Sequence, residues 1–299
     1  AMNRVVLFVG SGMALKPHRK TNEDIAVEAC VRYAESQGIE LPEALPERQE
    51  AAYDAVDAAH LSPEALSELV APLVEDLQVG EGHLRLARLT KERYFSTIFT
   101  MCFDDLLERA LAQEHLLPVE QYNLVVVGKA TRREITGALM ESQRLTVVKL
   151  PGGAKDGPAL TPRQVSSYLR RASHIVHELS KQCTLVVSYC ARDRTLMPII
   201  AREGDALWWI NPQYPMSDRD AHDNLRIEQP DQLQHHAFQP EVVELLRSRR
   251  SERHVISREQ GTFDGFFADL YDRRVRRGSD RHLEVRRTDL KMEPEGPFK

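Results

Sequence analysis

Several things are scarce in this sequence, and each scarcity removes a class of protein. Only four cysteines occur in 299 residues, Cys30, Cys102, Cys183 and Cys190. They form no CxxC pair and stand beside no histidine at the spacing of a zinc site, so neither a disulfide scaffold nor a metal centre is expected. Free thiols in a reducing, cytoplasmic setting are the reading that remains. Long hydrophobic runs are missing too. No apolar stretch approaches the roughly 18 residues a membrane span needs, and with a strand expected from Val5 no signal peptide is expected. Neither sign of charge dominates: the net value is −5, and a nucleic-acid partner would call for a basic footprint. There are no internal repeats.

The 42% hydrophobic content is enough for one sizeable core. Short β-branched runs alternate with longer helical segments, the pattern of a parallel sheet covered by helices on both faces. Strands are predicted at Val5–Val9, Phe95–Thr100, Leu124–Val127, Thr146–Leu150, Thr184–Ser188 and Ala206–Ile210. Nearly all are continuous apolar runs, as strands buried on both faces must be. The fold expected is therefore α/β, a Rossmann-like sheet.

Helix starts are well marked. Ser62-Pro63-Glu64 offers an N-cap with proline in the first turn, and Thr161-Pro162-Arg163-Gln164 adds a glutamine placed to close a capping box. From Pro162 to about Lys181 one helix is expected, with Val165, Tyr168, Ala172, Ile175 and Leu179 as its buried stripe. His174 and His177 lie on or beside that stripe, where helix packing is the simpler role and a base the alternative. Residues 40–81 are rich in acids, hold one arginine and are broken by Pro42, Pro46 and Pro63. They read as a small helical insertion over the carboxyl edge of the sheet, either a lid or a fixed flap. Near the end, EVVELLRSRR and GTFDGFFADLY are expected to be helices, the second docking Phe263, Phe266, Phe267 and Leu270 on the core. One domain is expected over 1–272. Residues 273–299 read as a charged tail or linker leading to a further domain.

Chemistry is expected where strands end, since open α/β sheets bind ligands beyond the carboxyl ends of their strands. FVGSG at 8–12 runs a strand into a turn whose glycines let the backbone approach a phosphate. TMCFDD at 100–105 ends a strand and opens a helix with two aspartates, favoured there by the helix dipole. KLPGG at 149–153, SYCARD at 188–193 and WWINPQ at 208–213 are further strand exits with small or polar residues.

In this order the five segments resemble the SIR2-like domain of bacterial defence and signalling proteins, over roughly Val5 to Leu270. The family pattern is a Gly-Ala-Gly loop, then T-x-N-[FY]-D, K-L-H-G, G-Y-[SG]-x-x-D, and a strand ending in I-N. The resemblance implies an NAD-binding Rossmann fold. In active members it implies cleavage of the nicotinamide–ribose bond, by water or with lysine deacylation. It places contacts to NAD or an ADP-ribose-like nucleotide at Gly10, Ser11, Gly12, Asp104, Ser188, Asp193 and Asn211.

The two catalytic positions of that pattern differ here. Cys102 stands where the family's asparagine orders the attacking water, and Pro151 where its histidine acts as base. Proline has no group to accept a proton, so base assistance worth about 10² to 10⁴ in rate is lost. Cysteine lacks the paired donor and acceptor of an amide. Whether the chain is an enzyme therefore stays open. The first reading is a catalytically impaired domain that binds a nucleotide as a sensor. The second is an active NAD glycohydrolase using other residues. The third is a protein-interaction module with an empty crevice. A deacetylase is disfavoured because the usual four-cysteine zinc module is missing. A homo-oligomer or protein partner is expected. Nucleic acid and membrane are not.

Overall fold

The computed structural model describes residues 5–10, 20–140, 144–189, 196–211, 224–226, 240–249, 253–256 and 261–275. Its frame is an eight-stranded sheet built from β1 (Val5–Val9), β2 (Phe95–Thr100), β3 (Tyr122–Val126), β4 (Leu145–Lys149), β5 (Cys183–Val187), β6 (Leu207–Ile210), β7 (Asn224–Arg226) and β8 (Arg253–Ile256). The order is β3-β4-β2-β1-β5-β6-β8-β7, parallel throughout except for β7 against β8. This is the Rossmann-like α/β arrangement expected from the sequence. The predicted strands recur within two residues of their expected bounds. β7 and β8 were not legible: Arg253-His254-Val255-Ile256 carries only two apolar residues beside two polar ones.

β1 explains why the strand runs are apolar at every position. Val6 and Phe8 enter the cluster on one face, Leu7 and Val9 the cluster on the other. A strand at the centre of a covered parallel sheet has no solvent side, so its period-two alternation disappears from the sequence. The first face is covered by α6 (Arg132–Met140), α7 (Pro162–Leu179) and α8 (Pro240–Ser248). The second is covered by α4 (Glu81–Lys91), α5 (Leu106–Gln113) and α9 (residues 263–275), which docks Phe263, Phe266 and Phe267 as expected.

α7 follows its sequence signals with two differences. Thr161 caps it by accepting from Gln164 N, but Gln164 returns its own Oε1 to Leu160 N at 2.9 Å, one residue before the cap. The buried positions are Leu169, Ala172, Ile175 and Val176, with Val165, Tyr168 and Leu179 at their margin. His174 is exposed and so plays no packing part, in contrast to the expectation.

A third layer lies over the carboxyl edge. α1 (Asn22–Ser36), α2 (Leu45–Ala59) and α3 (Pro63–Val74) share one apolar cluster, which Phe103 and Leu160 join from the sheet side. Polar ties fix the layer in place: Thr161 Oγ1 donates to Asp57 Oδ1 at 2.7 Å, and Gly157 N donates to Ser67 Oγ at 3.1 Å.

One cation is enclosed at the far end of α7. Arg249 is 1% exposed; its Nη1 donates to the Asp205 carbonyl at 3.0 Å and its Nη2 to that of Ser180, the residue capping α7. Burial pulls its pKa below the usual arginine value. Gly204 beside it has φ +140 and sits against the Lys181 carbonyl and the guanidinium, a conformation reserved for glycine.

Candidate functional site

The chain runs from β1 outward to β3, then returns across the sheet to β5 on the other side of β1. Adjacent strands β1 and β5 therefore send their exits in opposite directions, which opens a crevice at their carboxyl ends. Gly10 sits at that point. Its N–H donates to the Val187 carbonyl at 2.9 Å, and an added Cβ would lie 2.3 Å from the Ser188 carbonyl oxygen and 2.5 Å from Tyr189 Cα. Only glycine fits, because the obstruction is backbone.

Ser188 answers Gly10 from β5. It has φ +57, a left-handed conformation that costs a non-glycine residue energy, and its Oγ is buried without a partner among the described residues. Its N–H is tied to the Ile210 carbonyl at 2.9 Å. Next along the edge, the Asn211 amide donates to the Tyr189 carbonyl at 3.1 Å. On the other side of β1, Cys102 leaves β2 with its N–H on Thr100 Oγ1 at 3.0 Å and its thiol 3.5 Å from the Gly10 carbonyl.

Asp104 is 6% exposed and fully engaged. Its Oδ1 accepts from Leu106 N at 3.0 Å, starting α5, and its Oδ2 accepts from Asn22 Nδ2 at 2.9 Å. Beneath it Lys149, 3% exposed at the end of β4, donates to the Asp104 carbonyl and to the Glu108 carboxylate. Burial raises the Glu108 pKa while Lys149 opposes the rise.

A cleft of about 250 Å³ lies between this edge and the helical layer. Pro151 lines it together with Met101 and Phe103, which flank Cys102, and with Asn22, Glu23 and Tyr53 from α1 and α2. Gly10, Cys102, Asp104 and Ser188 are thus gathered along one edge, with Asn211 beyond Tyr189 and Pro151 in the cleft wall. Ser11, Gly12 and Asp193 lie outside the described residues. Asn22 and Lys149 were missed by the sequence reading. Thr21-Asn22-Glu23-Asp24 carries the signal of a capping box, which Thr21 and Asp24 do form, and that signal hides the asparagine inside it.

The chemistry available follows from these positions. Burial first, then the neighbouring Asp104 charge, push the Cys102 thiol pKa far above the ordinary cysteine value, which disfavours the thiolate a nucleophile needs. Pro151 transfers no proton. His177 borders a different surface cleft, with Pro198, Arg202 and Ser248, and His174 faces solvent, so neither replaces the base. Among the described residues Glu23 is the one carboxylate on the cleft, and it stands exposed at the rim. Among the described residues no three His, Cys, Asp or Glu side chains form a metal-binding group, and no helix is long and apolar enough to cross a membrane.

A reactivity measurement checks the thiol assignment. At pH 8 a thiol-specific reagent should leave Cys102 and Cys30 unlabelled in the native chain, the Cys30 thiol being pushed up to about 12 by burial. Both should label once guanidinium unfolds it. Native labelling of Cys102, read by peptide mapping, would restore it as a nucleophile.

No protein-family model matches this chain, and no curated protein matches it. Among solved structures it is similar to one described as "Structural Basis for the Mechanism and Regulation of Sir2 Enzymes", at 15% identity over 72% of this chain and 82% of that one, with a TM-score of 0.33. A likeness at that level adds nothing to the strand order and site geometry given above.

Proposed function

We propose that this chain binds NAD or a related ADP-ribose-type nucleotide at the carboxyl edge of its sheet without breaking it down. It would then serve as a sensor or regulatory module of a bacterial defence or signalling protein. The observation that carries the binding half is the β1–β5 crevice. There Gly10 has no room for a Cβ, and Ser188 is held left-handed with a buried hydroxyl that has no partner among the described residues. Strain and an unsatisfied polar group together mark a place kept for something other than stability. Two observations support loss of turnover: Pro151 occupies the cleft wall, and the Cys102 thiol is buried, which disfavours its thiolate. The defence or signalling setting rests on the five ordered motifs alone. On the same ground residues 1–272 are proposed as one unit, followed by a charged linker.

Calorimetry with NAD and ADP-ribose, run beside a chromatographic assay for released nicotinamide, tests both halves. Binding without release is the expected result. Release would show that other residues supply the chemistry and would make Glu23→Gln the next variant. Absence of binding by either nucleotide would leave the interaction-module reading in its place.

A further inference from the structure

We infer that this protein pairs with a second copy of itself about a two-fold axis, the basic face of α7 in each copy lying on the acidic face of α2 in the other. The inference does not depend on what the crevice binds.

α7 turns Leu169, Ala172, Ile175 and Val176 to the sheet, and helical spacing sets Arg163 and Arg170 on its opposite side, where both are exposed. The acid of this helix, Glu178, is held by Lys181 at 2.9 Å. α2 is the converse. It buries Ala52 and Val56, while Glu47, Glu50 and Asp54 stand exposed on the side directly away from them. Its base, Arg48, is held by Glu35 of α1. Among the described residues, no hydrogen bond or ion pair engages the side chains of Arg163, Arg170, Glu47, Glu50 or Asp54.

Two features select a copy of this chain as the partner. The first is spacing: Arg163 and Arg170 stand seven residues apart, as do Glu47 and Asp54, so each pair of charges is separated by two helical turns, about 10.5 Å. The second is that the two helices adjoin within one molecule. Thr161, the cap of α7, donates to Asp57 of α2 at 2.7 Å, and Gln49 and Tyr53 of α2 share a cleft wall with Pro162 and Val165 of α7. A surface that passes from negative to positive across such a joint complements itself after half a turn about an axis through the joint. The basic helix of each copy then meets the acidic helix of the other, and the assembly closes at two. A polyanion laid on the same arginines would bring negative charge up to the α2 acids beside them.

Analytical ultracentrifugation of the whole chain tests this. The wild type should sediment as a dimer at about 0.05 M salt, and its dissociation constant should rise about tenfold or more at about 0.5 M, where exposed charges are screened. Arg163→Glu combined with Arg170→Glu should give a monomer, and so should Glu47→Lys combined with Asp54→Lys, because each sets like charges against like. Mixing the two variants should restore a dimer, since both contacts then join opposite charges. Thermal melting shows whether each variant is folded, all four positions being exposed. A monomeric wild type at low salt overturns the inference, as does a dimer that either reversal leaves intact. A mixture of folded variants that stays monomeric overturns it too. If neither variant folds, a wild-type dimer indifferent to salt does so by itself. Nucleic acid or anionic vesicles bound by a monomeric wild type would assign the arginines to a polyanion instead.

Discussion

Replacing Arg249 by methionine should lower stability by about 3 kcal/mol and the melting temperature by roughly 10 °C. Methionine fills much of the same volume, so the loss is mainly one of hydrogen bonds. The Asp205 carbonyl, bonded by Nη1 at 3.0 Å, loses its side-chain donor. The Ser180 carbonyl keeps Thr184 Oγ1 at 3.0 Å as a partner, which limits the damage there. Removal of a cation from the end of α7 adds the loss of a favourable dipole interaction, about 0.3–1 kcal/mol. Against these stands the relief of desolvation, the cause that holds the Arg249 pKa down. Backbone carbonyls cannot be replaced along with the arginine, so the unsatisfied acceptors outweigh that relief. Calorimetric melting decides the matter, and a shift under about 2 °C would mean that the site stays hydrated or repacks.

Gly10→Ala is expected to be comparably harmful although it adds a single methyl group. The new Cβ would meet the Ser188 carbonyl oxygen at 2.3 Å and Tyr189 Cα at 2.5 Å. Neither side can step away, since Gly10 N is bonded to Val187 O and Ser188 N to Ile210 O, each at 2.9 Å. β1 and β5 would have to separate at the crevice, at a cost of about 3 kcal/mol for overpacking against backbone. Nucleotide affinity should fall below detection with it. Gly137→Ala is the matched control: it lies in exposed α6 with nothing within 4 Å of the added carbon. There alanine should stabilise by about 0.5–1 kcal/mol, through helix propensity alone. A Gly10→Ala chain that melts like wild type and still binds ADP-ribose would remove the crevice from the proposal.

The sequence reading succeeded wherever a local rule governs. Continuous apolar runs located six strands, and Ser62-Pro63 and Thr161-Pro162 located two helix starts, because burial on both faces and caps each leave a signature within a few residues. It failed where a partner distant in the chain sets the outcome. β8 is a strand because β6 offers it a parallel edge, from Leu207↔Arg253 to Ile210↔Ile256, and not because its own residues demand one. Lys149 is buried at the end of an apolar run because Glu108, 41 residues earlier, supplies a carboxylate.

The site divides in the same way. The sequence by itself determined that Gly10, Cys102, Asp104, Pro151, Ser188 and Asn211 stand at strand exits, because the alternation of strand and helix in a parallel sheet brings those exits to one edge. It equally determined that the positions of Cys102 and Pro151 hold no amide and no base, since residue type settles what a side chain can donate or accept. Only the tertiary structure decided that Asn22 reaches Asp104 across 82 residues of chain, and that His174 and His177 stand away from the cleft that Pro151 lines. Those are consequences of how α1 and α7 are placed against the sheet edge, set by packing summed over many distant contacts that no local pattern records.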